Sequence, residues 1–260
     1  MTDQVRAALA ALSDLREKDL SAQGVMVLEG RIVIQKAISL GIEILLLVCS
    51  TESGAPWLSE DSAGFPILRM DHAEICSLVG FKFHHGAVAL ARRPVIRPAE
   101  PGLGFSSYLC LWNVTDPSNV GALLRSAAGL GVQAVLLGPG CADPFYRKAL
   151  RASMGNALSL PLFSCDAEGI KALGDSGVEF AAATLSERSI PLEVFIARRR
   201  RSRRASAPLA LVLGNEGFGL PGEVASLCRG EVVIPMEGGT DSLNVVVAGA
   251  ILMYGLFRRR

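Results

Sequence analysis

The sequence predicts an α/β protein in which a small α/β layer is followed by a larger, mostly parallel sheet. Short apolar runs alternate with segments of helical periodicity along most of the chain. In the C-terminal part these runs are apolar at consecutive positions, which is typical of strands buried on both faces. Three prolines and two glycines at residues 92–104 separate the two patterns and indicate a linker.

The first pattern, over residues 1–91, has the order β-α-β-β-α-β after an N-terminal helix. That helix is predicted within residues 5–20, where leucines recur at helical spacing. Strands are predicted at residues 25–28, 44–49, 67–70 and 86–91. Helices are predicted at residues 32–40, stopped by Gly41, and up to residue 79 from an Asp71 cap. These elements predict a small α/β domain.

The second pattern, over residues 105–260, alternates strands with helices and predicts a parallel sheet. Strands are predicted at residues 108–112, 134–137, 160–163, 179–183, 209–213 and 231–234. Helices are predicted at residues 119–130, 144–152, 170–173, 221–228 and 242–257. A run of six arginines within residues 197–204 is predicted to be a solvated loop.

Composition and charge exclude several classes of protein. The residues are 50% hydrophobic and the net charge is +1, so a large core is expected and a strongly basic nucleic-acid arm is not. The six cysteines contain no CxxC pair, which predicts reduced core cysteines, a cytoplasmic location and no metal site. The N-terminus lacks a signal-peptide pattern. The apolar stretch Val245–Phe257 is shorter than the roughly 20 residues that span a membrane, so no membrane contact is expected.

A G-x-G-x-x-G pattern occurs at Gly217, Gly219 and Gly222, with Asp241 about 20 residues further on. It formally matches a dinucleotide fingerprint and supports a nucleotide-dependent oxidoreductase as one hypothesis. Topology argues against that hypothesis, because the fingerprint belongs after the first strand of its domain and only residues 223–260 follow here. The observation still favours a glycine turn that lets a ligand approach the backbone.

Two further polar turns follow predicted strands. Residues 113–121 run into a helix on which Asn119 and Arg125 lie less than two turns apart. Residues 234–244 turn through two glycines into an apolar helix whose cap is expected at Asp241 or Ser242. Each turn alone has a structural explanation, since asparagines cap helices or bond backbone. Three such turns at strand ends together indicate a ligand site.

These three segments carry a family resemblance. N-V-T-D-P-S-N-V-G-A-L-L-R-S-A, L-V-L-G-N-E-G-F-G-L and I-P-M-E-G-G-T-D-S-L-N-V resemble, in order, the three motifs of the SpoU (TrmH-like) branch of the SPOUT RNA methyltransferases. The resemblance implies a SPOUT-type parallel sheet with a C-terminal trefoil knot over residues 105–260. Residues 20–95, with Leu28-Glu29-Gly30, resemble the family's L30e-like RNA substrate-binding domain.

The resemblance also implies site residues. Those implied in catalysis are Arg125, Asn119, Glu216 and Asn244. Those implied in binding S-adenosylmethionine are Gly214, Glu216, Gly217, Ile234, Pro235, Met236, Ser242, Leu243 and Asn244. Two roles are open for Arg125: it could act as the base, or it could orient the reacting hydroxyl through a neighbouring phosphate. The high pKa of a guanidinium favours the second role.

The implied reaction is methyl transfer from S-adenosylmethionine to a ribose 2′-hydroxyl, by a homodimer. Ribosomal RNA is the expected target, with transfer RNA as the alternative. A non-catalytic RNA-binding relative is a further alternative, which the presence of Arg125, Glu216 and Asn244 disfavours. The arginine run at residues 198–204 and the tail at residues 258–260 suit RNA backbone binding, although the run equally suits a solvated loop.

Overall fold

The computed structural model describes residues 7–10, 12, 17–52, 55, 57–58, 64–79, 86–237 and 242–258. The chain divides into two compact units. Unit 1 comprises residues 1–95 together with residues 144–159. Unit 2 comprises residues 96–143 and 160–260.

Unit 1 is built on a four-stranded sheet with the order β1-β4-β2-β3. Its strands are β1 (Val25–Glu29), β2 (Ile44–Ser50), β3 (Ile67–Met70) and β4 (Ala87–Arg92). Its N-terminal helices are α1 (Glu17–Ala22), α2 (Arg31–Ser39) and α3 (His72–Val79). Strand β4 is antiparallel to both of its neighbours, and β2 and β3 are parallel. The predicted β-α-β-β-α-β order is therefore confirmed.

Residues 144–159 were expected in the methyltransferase domain, but the structure groups them with unit 1. They form α5 (Arg147–Ala152) and a short 3-10 helix, Asn156–Leu158. Arg151 Nη1 lies 3.1 Å and Arg147 Nε 3.9 Å from Glu29 Oε2, and the Glu29 side chain is only 2% exposed. Lys36 Nζ donates to Asn156 Oδ1. Because a buried carboxylate is costly without a cation, these ion pairs help hold the segment in unit 1.

Unit 2 contains an eight-stranded sheet with the order β10-β12-β9-β11-β6-β7-β8-β5, in which every neighbouring pair is parallel. Its strands are β5 (Arg97–Pro98), β6 (Ser107–Leu111), β7 (Ala134–Leu137), β8 (Leu162–Ser164), β9 (Glu179–Ala183), β10 (Ile190–Pro191), β11 (Leu209–Leu213) and β12 (Gly230–Val233). Its helices are α4 (Pro117–Gly129), α6 (Ala167–Asp175), α7 (Leu192–Arg201), α8 (Gly222–Leu227) and α9 (Val245–Phe257). The predicted parallel sheet is confirmed.

Three local predictions were wrong. Part of the predicted linker, Arg97–Pro98, is edge strand β5 and pairs with β8. Four of the six arginines that were assigned to a loop belong to α7, because Leu192, Phe195 and Ile196 supply a helical apolar face before them. The cap of α9 is Asn244, whose side chain accepts a hydrogen bond from Val246 N at 2.9 Å. Asp241 lies outside the described residues.

The central strands of unit 2 form its core. All residues of β6 and β11 are buried, and α9 packs against α4, α7 and β11. A Cβ added at Gly249 would lie 2.6 Å from Leu123 Cδ2 and 2.7 Å from Leu213 Cδ1, so this glycine permits the close approach of α9. All six cysteines are unpaired. Cys49, Cys110 and Cys165 lie in the core as predicted, whereas the other three are only partly buried. Among the described residues, no helix is long and apolar enough to cross a membrane.

Candidate active site

A cavity of about 650 Å³ lies in unit 2, where the segments that follow β9, β11 and β12 converge. These strands are parallel, so their carboxyl ends meet at one edge of the sheet, where ligands bind in parallel α/β folds. Predicted cofactor residues that line the cavity are Gly214, Glu216, Gly217, Ile234, Met236, Ser242 and Leu243. We call this space the donor cavity, after the methyl donor that the family resemblance implies. The structure thus brings together residues of the second and third motifs.

The second motif forms a tight turn after β11. Asn215 N donates to Gly219 O at 3.1 Å, and Gly219 N donates to Asn215 O at 2.9 Å. The Asn215 Oδ1 atom accepts from Gly217 N at 2.8 Å and from Phe218 N at 3.1 Å. A Cβ at Gly214 would lie 2.5 Å from the carbonyl carbon and oxygen of Gly219, so a glycine is required there. The turn leaves Phe218 90% exposed.

The first motif is joined to this turn by side chains. Asp116 caps α4 by accepting from Ser118 N at 2.9 Å, which places Asn119 in the first turn of the helix. Asn119 Nδ2 donates to Glu216 Oε1. Asn215 Nδ2 donates to the carbonyl oxygen of Asn113 at 2.9 Å. Asn215 was not among the residues implied in the site, yet its side chain connects two motifs.

The third motif supplies the apolar wall of the donor cavity. Ile234, Met236 and Leu243 line it, and Pro235 stands between two lining residues. Asn244 caps α9 next to Leu243 through its side-chain oxygen. The alternative that Asn244 bonds backbone is therefore observed, and its side-chain NH₂ group is not used by that bond.

Arg125 is exposed on α4 and is not among the residues that line the donor cavity. It lies six residues after Asn119, whose side chain holds Glu216. Six residues place the Arg125 and Asn119 side chains about 120° apart around the helix axis, so the two share a helix but not a face. A guanidinium outside the cavity is suited to a substrate group that approaches from solvent.

A polar segment after β9 also borders the cavity, although none of its residues was predicted to belong to the site. Thr184, Ser186 and Arg188 line the donor cavity together with Glu231 of β12. Glu231, 8% exposed, accepts from Thr184 Oγ1 at 2.7 Å, from Ser186 Oγ, and from Arg188 Nη2 at 2.7 Å. The Ser186 and Thr184 hydroxyls, with the Arg188 guanidinium, lower the pKa of Glu231 despite its burial. The position of this segment at a strand end was the signal that could have revealed it.

The donor cavity has the chemistry of a site for a small ligand that carries a positive charge and an apolar part. Its size falls within the range of small-molecule sites. Apolar side chains line one side, while the carboxylate of Glu216 suits a positive charge. The other carboxylate of the lining, Glu231, is already paired with Arg188. No group of potential metal ligands occurs among the residues that the structure describes.

Comparison with known proteins agrees with this geometry. A profile of the SpoU rRNA Methylase family matches residues 106–254. The chain belongs to the SpoU rRNA Methylase family. It is therefore an RNA methyltransferase of the SpoU/TrmH type, and the resemblance seen in the three motifs is confirmed. The matched region holds all of the residues around the donor cavity.

Two relatives of this SpoU protein differ in coverage. An uncharacterized tRNA/rRNA methyltransferase of Mycobacterium bovis is 35% identical over 246 residues, which are 92% of this chain and 83% of the relative. The 23S rRNA (guanosine(2553)-2′-O)-methyltransferase RlmP of Bacillus subtilis is 32% identical over 152 residues. Those residues are 55% of this chain and 54% of the relative, so the second match spans about half of each protein.

Solved structures match nearly the whole SpoU protein. An AdoMet-bound rRNA methyltransferase from Sinorhizobium meliloti has a TM-score of 0.80 and 26% identity, covering 98% of this chain and 95% of that chain. The SpoU methyltransferase AviRb from Streptomyces viridochromogenes has a TM-score of 0.76 at 21% identity, covering 96% of both chains. The second match shows the same fold.

Proposed function

We propose that this SpoU protein transfers a methyl group from S-adenosylmethionine to a ribose 2′-hydroxyl of RNA, with ribosomal RNA as the target and transfer RNA as the alternative. The observation that carries the proposal is the donor cavity, where the second and third motifs converge and to which Asn119 links the first motif. The AdoMet-bound structure of the S. meliloti rRNA methyltransferase supports S-adenosylmethionine as the methyl donor. The similarity to the 2′-O-methyltransferase of B. subtilis supports the ribose 2′-oxygen as the atom that accepts the methyl group.

The residues of the donor cavity fit S-adenosylmethionine. Ile234, Met236 and Leu243 offer apolar surface for an adenine, and Gly214 permits the tight turn that borders the cavity. Glu216 would face the positive charges of the ligand. When bound, S-adenosylmethionine supplies an electrophilic methyl group on a sulfonium sulfur.

Arg125 is proposed to hold the RNA. Its guanidinium can donate two parallel hydrogen bonds to the phosphate next to the acceptor ribose, which orients the 2′-hydroxyl. Asn119 keeps Glu216 in place from the same helix. Asn244, fixed as the cap of α9, has its NH₂ group left to bind a ligand or RNA oxygen.

The remaining proposals concern architecture. We propose that the C-terminal segment follows a trefoil path. In support, the chain leaves β12 on the far side of β9 from β11, yet α9 packs on β11 and α4. We propose unit 1 as an L30e-like RNA substrate-binding domain and a homodimer as the functional form. The six unpaired cysteines suit a reducing compartment such as the cytoplasm.

The decisive experiment compares wild type with Arg125→Ala and Arg125→Lys. Tritiated S-adenosylmethionine is the donor and unmodified ribosomal RNA is the acceptor, with transfer RNA assayed in parallel. We expect Arg125→Ala to bind the donor normally in calorimetry and to lose methyl transfer by about 100-fold or more. Arg125→Lys keeps the charge without the fork, so it should recover only part of the rate.

Mapping of ribose methylation identifies the acceptor atom. Label on a base would refute the 2′-hydroxyl assignment. Transfer to transfer RNA alone would replace ribosomal RNA as the substrate. Unchanged turnover by Arg125→Ala would remove Arg125 from the mechanism.

A further inference from the structure

A second cavity, of about 600 Å³, adjoins the donor cavity in unit 2. Arg188 and Glu231 line both cavities and so form a shared wall. The guanidinium groups that line the second cavity belong to Arg188, Arg198, Arg199, Arg203, Arg204 and Arg229. The carboxylates of its lining belong to Glu179 and Glu231, which leaves four positive charges in excess. We call this space the arginine cavity.

Both carboxylates of the arginine cavity are already paired. Glu179 accepts from Arg199 and lies 3.6 Å from Arg229 Nε, while Glu231 accepts from Arg188 at 2.7 Å. Arg199 also donates to the backbone oxygen of Ala207. These arginines therefore have structural partners, which accounts for part of the positive charge.

The other three arginines of the cavity are exposed and lack such partners. Among the residues that the structure describes, no ion pair or hydrogen bond engages the guanidinium groups of Arg198, Arg203 and Arg204. The negative end of α7 offsets only about half a charge. Arg203 and Arg204 also lie beyond the last residue of that helix, Arg201. A concentration of like charges that the fold does not neutralise indicates an anionic ligand with several charges.

We propose that the arginine cavity binds the phosphodiester backbone of the RNA substrate beside the donor cavity. The proposal rests on the proposed function, because it assigns part of that function's substrate to this surface. Arginine suits the role, since its planar fork donates two hydrogen bonds to a phosphate. The guanidinium groups come from α7, from the turn after it, and from segments flanking β10 and β12. Such a spread of exposed cations matches a chain of phosphates better than one small anion.

The test compares two double variants with equal changes of charge. Arg198→Gln with Arg204→Gln removes two unpartnered cations from the cavity. Arg200→Gln with Arg201→Gln removes two exposed cations of the same run that do not line the cavity. Binding of a fluorescein-labelled, mixed-sequence single-stranded RNA of about 16 nucleotides is followed by anisotropy, without S-adenosylmethionine. Salt is varied from about 50 to 200 mM.

We expect the cavity variant to bind this RNA about tenfold more weakly at low salt. Its slope of log affinity against log salt should fall by about 1.4, since each lost single-strand phosphate contact removes about 0.7. The matched variant should change each quantity by less than half as much. Arg203→Gln alone should lower the slope by about 0.7. Unchanged donor affinity in calorimetry, and an unchanged melting transition, show that each variant is folded.

Three outcomes would overturn the proposal. Equal losses in the two double variants would mean that only the total charge matters. Unchanged RNA binding by the cavity variant would mean that RNA does not use the cavity. ATP binding that the cavity variant loses while RNA binding persists would assign the site to a free nucleotide. This binding test is independent of the methyl-transfer assay. A wild-type protein that transfers no methyl group but binds RNA through the arginine cavity would refute the proposed reaction and leave this inference standing.

Discussion

At the scale of single residues, Gly214 sets the shape of the donor cavity. A methyl group added there would lie 2.5 Å from the Gly219 carbonyl and 2.8 Å from Leu220 N, which are backbone atoms with little freedom to move. We expect Gly214→Ala to weaken donor binding about tenfold or more and to lower the free energy of unfolding by about 1–3 kcal/mol. Calorimetry with S-adenosylmethionine and urea denaturation measure the two effects.

Gly174→Ala provides the matched control. It makes the same chemical change within α6, where an added Cβ meets nothing within 4 Å. A helical alanine in open space should raise stability by about 0.5–1 kcal/mol. Wild-type donor affinity in Gly214→Ala would show that the turn after β11 does not shape the site.

At the scale of single residues, the sequence predicted where the site lies but not which side chains contact each other there. Glycine and asparagine at strand ends predicted a ligand site at that edge, where the donor cavity lies. Seven of the nine residues that the family resemblance implied in cofactor binding line this cavity. Individual partners could not be foreseen. The Asn215 side chain reaches Asn113, 102 positions away, and such a contact depends on folding that no local pattern encodes.

At the scale of elements, Glu231 of β12 anchors the segment 184–189 to the sheet. Its folded-state pKa is lowered, so ionisation of Glu231 stabilises the fold above its unfolded pKa of about 4.3, and this contribution is lost as the pH falls through the folded value. We expect Glu231→Gln to lower the free energy of unfolding by about 2 kcal/mol at pH 7. The deficit should shrink below about pH 4. Urea denaturation across pH measures both quantities.

Glu187→Gln is the control for this prediction. Glu187 is exposed in the same segment, so the identical loss of charge should change stability by less than about 0.5 kcal/mol at every pH. A deficit in Glu231→Gln that stayed constant from pH 7 to pH 3 would separate its effect from ionisation.

Elements were predictable where an apolar pattern was long enough to be read. The runs that became β9 and β11 were predicted with their observed ends. Strand β5 was missed, because Arg97–Pro98 is only two residues long and has no periodicity. Helix α7 was missed because its arginine-rich end concealed the apolar positions at its start.

At the scale of the whole molecule, the proposed dimer has a candidate contact on α9. Val247, Ile251 and Tyr254 are exposed hydrophobic residues at helical spacing on this helix. We expect Val247→Glu with Ile251→Glu to convert a dimer into a monomer, because buried unpaired carboxylates are costly at an interface. Sedimentation velocity measures the change.

Val194→Glu places a charge on another exposed apolar residue of unit 2 and should leave the oligomer unchanged. A wild-type protein that sediments as a monomer at assay concentration would refute the dimer. If Val194→Glu dissociated the dimer and the α9 variant did not, the interface would have to be assigned to α7 instead of α9.

The division into units could be predicted only in part at this scale. Strand order along the chain indicated two α/β patterns, and both are present. The sequence could not predict that residues 144–159 belong to unit 1, because the ion pairs of Glu29 join positions more than 100 residues apart.

Unit 1 is therefore discontinuous along the chain, and this has a consequence for evolution and for protein engineering. A gene fragment that ends at the apparent boundary would encode Glu29 without Arg147 and Arg151, stranding a carboxylate in an apolar interior. The two units therefore cannot be exchanged by a single cut in the gene, and any domain that replaces unit 1 must also replace residues 144–159.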